Sequence, residues 1–241
     1  MPRFFLDSFQ GGDTACITGQ DAVHITRSLR MRAGEALTLC DTRGTDYDCE
    51  IVETGDTVVL RVLDSRPTAS EPSLQVTLYQ ALPKSDKLEH IIQKSVEMGV
   101  FAIVPVETAR CIARLDDRAD KKLLRWQKIA AEAAGQSGRG IISAVLPPLT
   151  FKQALAELTA AGEEVIVFYE GGGMPLCELV SPNTRRVSVF IGSEGGFAPE
   201  EIEALTAAGA RTATLGPRIL RCETAPTAAL AALMLLSGNL Q

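Results

Sequence analysis

The chain has 241 residues, 46% of them apolar and 22% charged, and a net charge of −6. This length buries a full core without disulfide or metal staples, and the acidic balance excludes a protein that coats nucleic acid by bulk charge. The six cysteines (Cys16, Cys40, Cys49, Cys111, Cys177 and Cys222) form no C-x-x-C pair and stand at ligand spacing from no histidine. Neither a zinc site nor a disulfide framework is therefore expected. The opening residues 1–7 lack a basic region followed by a long apolar stretch, and the longest apolar run, 228–236, is too short to span a bilayer. A soluble, cytoplasmic protein with no membrane or metal partner is expected. Residues 1–66 carry 7 basic and 11 acidic side chains, whereas residues 84–140 carry 11 basic and 8 acidic. A local basic face in the middle of the chain is possible on this distribution, as is a solvated mixed-charge surface.

In chain order, residues 1–66 read as a β-rich unit. Apolar runs at 36–39 and 57–62 alternate with the turn signals Gly11-Gly12, Arg43-Gly44 and Gly55-Asp56. One short helix is predicted over 21–29, with Asp21 as its cap. Several short strands close naturally into a small barrel. Residues 67–73 are proline-bracketed and polar, and read as a linker between a domain at 1–70 and another at 74–241. From Leu74 the pattern becomes strand–helix alternation. A strand at 76–82 precedes a helix at 86–98, whose Leu88, Ile91, Ile92, Ser95 and Val96 share one face. Asp86 and Glu89 have capping-box spacing. A strand at 101–106, a helix at 119–134 stopped near Gly135, and a helix at 151–161 stopped by Gly162 follow. Strands at 165–169, 187–191 and 212–215 come next, with a helix begun by Pro199 between the last two. A final helix covers 226–236. This alternation predicts a mostly parallel α/β sheet.

Three strand ends carry similar loop chemistry. The strand at 187–191 runs into Ile191-Gly192-Ser193-Glu194-Gly195-Gly196. The strand ending at Leu215 runs into Gly216-Pro217-Arg218-Ile219-Leu220-Arg221-Cys222-Glu223-Thr224-Ala225. The strand at 165–169 runs into Tyr169-Glu170-Gly171-Gly172-Gly173. Ligands of open parallel sheets sit beyond the carboxyl ends of strands, and glycines there let backbone amides approach closely. Three such ends point to one shared pocket. The Gly-Lys-Ser/Thr ending of a P-loop and the full G-x-G-x-x-G spacing are both absent.

Taken together and in this order, the two late clusters resemble the signature of the SPOUT methyltransferases. The likeness is closest to the RsmE family and covers nearly the whole chain. It includes Arg3-Phe4-Phe5, then His24 with Ser28-Leu29-Arg30 and Gly34. It continues through residues 84–89, Gln93 to Val100, Glu107 with Arg110-Cys111, and Arg125-Trp126-Gln127-Lys128. Gln136-Ser137-Gly138-Arg139 and the two glycine loops complete it. Ser193, Cys222, Ala198 and the segment 132–136 depart from the commoner residues.

The resemblance implies a PUA-like β-barrel that helps hold RNA, followed by a SPOUT-type α/β domain with a deep C-terminal trefoil knot, assembled as a homodimer. It implies transfer of a methyl group from S-adenosylmethionine to N3 of a uridine in the decoding region of 16S rRNA, in the small ribosomal subunit. The cofactor would be held by Tyr169, Glu170, Ile191, Gly192, Gly195 and Gly196, and by Leu215, Gly216, Ile219, Leu220, Arg221, Thr224 and Ala225. Uridine N3 carries a proton, so a base or an anion-stabilising cation is needed. Arg221 is the candidate cation, and Glu194 or Glu223 the candidate base. RNA contact is expected from Arg3, His24, Arg27, Arg30, Arg32, Arg110, Arg114 and Arg139. Three rivals remain open at this stage: methylation of another RNA site, a nucleotide-dependent oxidoreductase, and a PUA-type RNA-binding assembly factor without turnover.

Overall fold

The computed structural model describes residues 1–114, 119–161 and 164–240. They form two compact units. One comprises Met1–Glu71 with Ala134–Ile142, and the other Pro72–Ala133 with Ser143–Gln241. The division differs from a single break at 67–73, because a distant segment joins the first unit. Nothing local marks 134–142 for that place. Gly162, expected to stop a helix, lies outside the described residues.

The first unit is a five-stranded sheet of order β1-β3-β4-β5-β2. Its strands are β1 (Arg3–Phe5), β2 (Thr14–Thr18), β3 (Ala36–Cys40), β4 (Thr45–Glu53) and β5 (Thr57–Pro67). β1 is parallel to β3, and the remaining pairs are antiparallel. Alternate residues turn inward, as Ala15 and Ile17 do on β2, and meet Phe4, Ile25, Leu37, Leu39, Ile51 and Leu60 in one core. The β3–β4 turn is held by the Asp41 carboxylate, which accepts the amides of Arg43 at 2.8 Å and Thr45 at 3.0 Å.

The helix predicted over 21–29 is two pieces. α1 (Gly19–Val23) is followed by a π-helical turn over His24–Ser28. The Leu29 amide reaches back five residues to the His24 carbonyl at 2.9 Å, and the Thr26 hydroxyl takes the Ala22 carbonyl at 2.8 Å. Asp21 lies inside α1 and does not cap it; Thr18 is the N-cap and makes no side-chain cap bond.

β4 is rich in charge, yet Asp46 on it is buried. Arg3 donates to both of its oxygens at 2.6 Å, and the Thr68 hydroxyl donates at 2.6 Å. Burial pushes the Asp46 carboxyl up, but Arg3 and Thr68 prevail and hold it below its ordinary value. Asp46→Ala leaves Arg3 uncompensated and is expected to cost about 3 kcal/mol, read as a lower denaturation midpoint. Because the folded-state value is depressed, the stabilisation is present above the unfolded carboxylate pKa of about 3.9 and fades as pH falls through the lower folded value. Acid titration of wild type against Asp46→Ala would show the two stabilities converging only there.

The second unit is a parallel sheet of order β12-β10-β11-β6-β7-β8, with β9 also on β7. The strands are β6 (Gln75–Ala81), β7 (Ala102–Glu107), β8 (Ala144–Val145), β9 (Leu149–Thr150), β10 (Val165–Phe168), β11 (Arg186–Ile191) and β12 (Arg211–Ala213). Its helices are α2 (Lys87–Glu97), α3 (Ala119–Gln136), α4 (Phe151–Ala161), α5 (Pro199–Ala207) and α6 (Ala225–Leu236). The central strands are apolar on both faces; all four residues of β10 are buried. On α2 the buried residues are Leu88, Ile91, Ile92, Ser95 and Val96, the predicted face. The capping box does not form, because Glu89 turns instead to Arg125 at 2.7 Å. Among the described residues, no helix is long and apolar enough to cross a membrane.

Candidate active site

β12, β10, β11 and β6 are consecutive parallel neighbours, so their carboxyl ends share one edge of the sheet. The loops after them carry all three clusters singled out in the sequence.

The loop after β11 is a tight turn. The Gly196 amide donates to the Ser193 carbonyl at 3.0 Å, and Gly196 has φ +64°. A Cβ on Gly196 would overlap Oε1 of Glu170, which stands in the loop after β10. Gly196→Ala therefore combines a left-handed backbone, costing about 1–2 kcal/mol, with displacement of Glu170. The expected result is a protein that still folds but binds the cofactor implied by the family resemblance weakly, read by calorimetry. Arg110 donates to the Gly195 carbonyl at 3.2 Å, and the Gln80 amide donates to the Gly192 carbonyl at 3.3 Å. Glu201 fastens the start of α5, accepting from the amides of Ala198 at 2.9 Å and Ala109 at 2.8 Å. This carboxylate does half of a capping box; Ala198, which has no side-chain acceptor, cannot do the other half. The Ser193 hydroxyl is buried without a hydrogen-bond partner.

The loop after β10 runs back along β12. Tyr169 donates to the Ala213 carbonyl at 3.2 Å, and Met174 to the Thr212 carbonyl at 2.9 Å. In the loop after β12, the Gly216 amide donates to the Thr214 hydroxyl at 3.1 Å. The amides of Thr224 and Ala225 both converge on the Arg221 carbonyl at 2.9 Å, closing the turn into α6. Thr224 is the N-cap of α6 but makes no side-chain cap bond. Gly216, Ile219 and Arg221 are exposed, Ile219 by 88%.

Lys87, in the first turn of α2, was not foreseen as a site residue, and it joins the loops. Its Nζ lies 3.0 Å from Oε1 of Glu194 and 3.2 Å from Oε2 of Glu223. Glu194 belongs to the β11 loop and Glu223 to the β12 loop. The Lys84 amide also donates to Glu194, at 3.2 Å. The Cys222 thiol donates to Glu223 at 3.2 Å; burial, then this bond, pushes that thiol up to about 12. Burial raises Glu194, but its own amide, Lys87 and the Lys84 amide outweigh it, so its carboxyl sits below its ordinary value. Glu223 is likewise lowered, by Cys222, its own amide and Lys87. Lys87 is raised by its bonds to Glu194 and then Glu223. The usable signal was position: Lys87 follows the carboxyl end of β6, as the glycine loops follow their own strands.

The arginines fall into two groups. In the first unit His24, Arg27, Arg30 and Arg32 are exposed. Arg3 is committed to Asp46, and Arg139, only 3% exposed, is held by Glu71 at 2.8 Å. These two ion pairs brace the first unit. In the second unit Arg110 is exposed beside Gly195, and Arg114 pairs with Glu107 at 3.0 Å.

A β-rich unit followed by a parallel sheet with glycine loops at one edge is the architecture of a two-unit α/β protein with a ligand site at its strand ends. Family models described as "RNA methyltransferase domain" and "RNA methyltransferase PUA domain" match residues 70–234 and 17–63. The chain belongs to the ribosomal RNA small subunit methyltransferase E family. It is 36% identical to that enzyme of Bacillus subtilis over 97% of this chain and 96% of the relative. It is also 36% identical to that of Mycobacterium bovis, over 98% and 92%. Among solved structures, a ribosomal RNA small subunit methyltransferase E from Neisseria gonorrhoeae bound to S-adenosyl methionine aligns with TM-score 0.89 at 34% identity, covering 98% of each chain. A putative methyltransferase from Legionella pneumophila in complex with the same cofactor aligns with TM-score 0.85 at 30% identity, over 97% of this chain and 96% of that one.

Proposed function

We propose that this protein transfers a methyl group from S-adenosylmethionine to N3 of a uridine in small-subunit ribosomal RNA, in the cytoplasm. The observation that carries the reading is the bridge through Lys87, which ties the loops after β11 and β12 into one cradle. The residues present suit the cofactor. Glu170 offers a carboxylate for ribose hydroxyls. The amides of Ile219 and Leu220 donate to no protein acceptor among the described residues, and the Ser193 hydroxyl is buried and unpartnered. Tyr169, Ile191, Gly192, Gly195, Gly196, Leu215, Gly216, Thr224 and Ala225 frame the same edge.

S-adenosylmethionine, when bound, supplies an electrophilic methyl group on a sulfonium. The protein must orient the uridine, exclude water and favour loss of the N3 proton. Glu194 and Glu223 are both held ionised by Lys87, which makes either a weak proton acceptor. The N3 proton then passes to solvent water before methyl transfer, and catalysis falls chiefly on stabilising the uridine anion left behind, with exposed Arg221 the cation assigned to it. Closure of the first unit into a barrel, a trefoil knot through the β11 and β12 loops, and homodimer formation belong to the same reading. His24, Arg27, Arg30, Arg32 and Arg110 are assigned to RNA phosphates, whose binding weakens with salt.

The test is transfer of a labelled methyl group to small subunits lacking the modification, with mass analysis of the nucleosides. 3-Methyluridine is expected; label in any other nucleoside, or none, overturns the assignment.

A further inference from the structure

A second concavity lies beside the Lys87 cluster, within the same unit. Its volume is about 180 Å³. Leu82, Pro83, Leu88, Trp126 and Pro148 give it apolar walls. Ser85, Asp86 and Glu89 add polar groups, and Arg114 and Arg125 stand at its rim. We propose that this cavity receives the RNA base that is to be methylated, unstacked from its strand. This rests on the function proposed above and deepens it.

Four observations support the assignment. The volume is of the order of the roughly 150 Å³ cavities that hold one benzene ring, which suits a single pyrimidine and is too small for a peptide or a helix. Enzymes that act on a base extrude it into such a pocket, where apolar walls take its faces and polar groups its edge. The wall and the cradle are continuous: Ser85 and Asp86 line the cavity, and the adjacent Lys84 amide is bonded to Glu194 of the glycine loop. The cavity wall is thus one residue along the chain from a contact with the loop after β11. Finally, Ser85 has φ +55°, a left-handed conformation that serine rarely adopts and that clusters at binding sites. Arg114 and Arg125 are exposed and pair with Glu107 and Glu89, so they can swing to phosphates flanking the base.

The chain has one tryptophan, Trp126, and it lines the cavity, so its fluorescence reports occupancy in the unaltered protein. The probe is a short single-stranded RNA carrying one uridine, compared with the same RNA made abasic at that position. The uridine RNA is expected to give a saturable change in Trp126 emission that the abasic RNA does not. Ala113→Phe, which fills the cavity from a half-buried lining position, should abolish that change. It should also lower methyl transfer to small subunits about tenfold or more, while S-adenosylmethionine binding stays as in wild type. Equal responses to the two RNAs, or wild-type transfer by Ala113→Phe, would overturn the pocket assignment while wild-type methylation remained intact. Loss of methyl transfer in the wild type itself would instead sink the function on which it rests.

Discussion

Lys87→Met is expected to fold normally, to bind S-adenosylmethionine more weakly, and to transfer methyl groups about a hundredfold more slowly. The reason is geometric. Lys87 is the cation between Glu194 and Glu223, at 3.0 and 3.2 Å, and these carboxylates sit on different loops. Without it, two like charges face each other across the cradle and drive the loops apart. A misplacement of about 1 Å is enough for a loss of that size. Lys87→Arg should retain part of the rate, and Glu194→Gln added to Lys87→Met should recover part of the binding by removing the repulsion. A merely structural lysine would show neither rescue. The pH dependence follows from the shift directions. Lys87 is raised and stays charged through its ordinary range, while Glu194 and Glu223 are lowered and stay charged at neutral pH. The clamp is therefore closed across neutral and mildly alkaline pH; it opens as pH falls through the depressed carboxylate values, and on the alkaline side only as pH rises through the raised Lys87 value. Cofactor affinity flat across neutral pH in wild type agrees with this; a midpoint near 6 would contradict it.

The contrast between α2 and the residues that pair with distant segments explains what could be read in advance. The buried face of α2 repeats every three or four residues, so local periodicity exposes it. The loops after β10, β11 and β12 were legible because glycines at strand ends are a local pattern with one dominant physical use. Asp46 was not legible: it is an acid within a charged strand, and its partner Arg3 lies 43 positions away. Arg139 read as a surface arginine for the same reason, since Glu71, which holds it, is 68 positions distant. Glu89 had capping-box spacing, but a long-range partner, Arg125, outcompeted the local one. The turn at His24–Ser28 failed differently. Its residues suit an ordinary helix, and only the five-residue reach of the Leu29 amide separates the two. Lys87 combines both difficulties, because the loops it joins meet only in the folded sheet.

Arg221→Ala is the sharpest probe of chemistry as distinct from cradle assembly. The Arg221 side chain is exposed, and its carbonyl is what accepts the amides of Thr224 and Ala225. Truncating the side chain leaves that turn, and the start of α6, intact. Folding and cofactor affinity should therefore change little. If the guanidinium stabilises charge that develops on the uridine as N3 loses its proton, the rate of the chemical step should fall about a hundredfold to a thousandfold, the usual cost of removing one such donor. The loss should appear in kcat rather than in KM for the subunit, because the charge forms only after the neutral uridine has bound. A phosphate-binding arginine would behave oppositely, raising KM and flattening the salt dependence while leaving kcat near wild type. Arg221→Lys separates the roles further. A lysine keeps the charge for phosphate but loses the planar fork that can hold a carbonyl oxygen flanking N3, where the anion's charge is shared, while leaving N3 free to attack. Single-turnover rates of the three proteins on the same subunits therefore distinguish anion stabilisation from RNA docking. A kcat that survives Arg221→Ala would move the cation's task to another group, and exposed Arg110, bonded to the Gly195 carbonyl on the same edge, is the next to test.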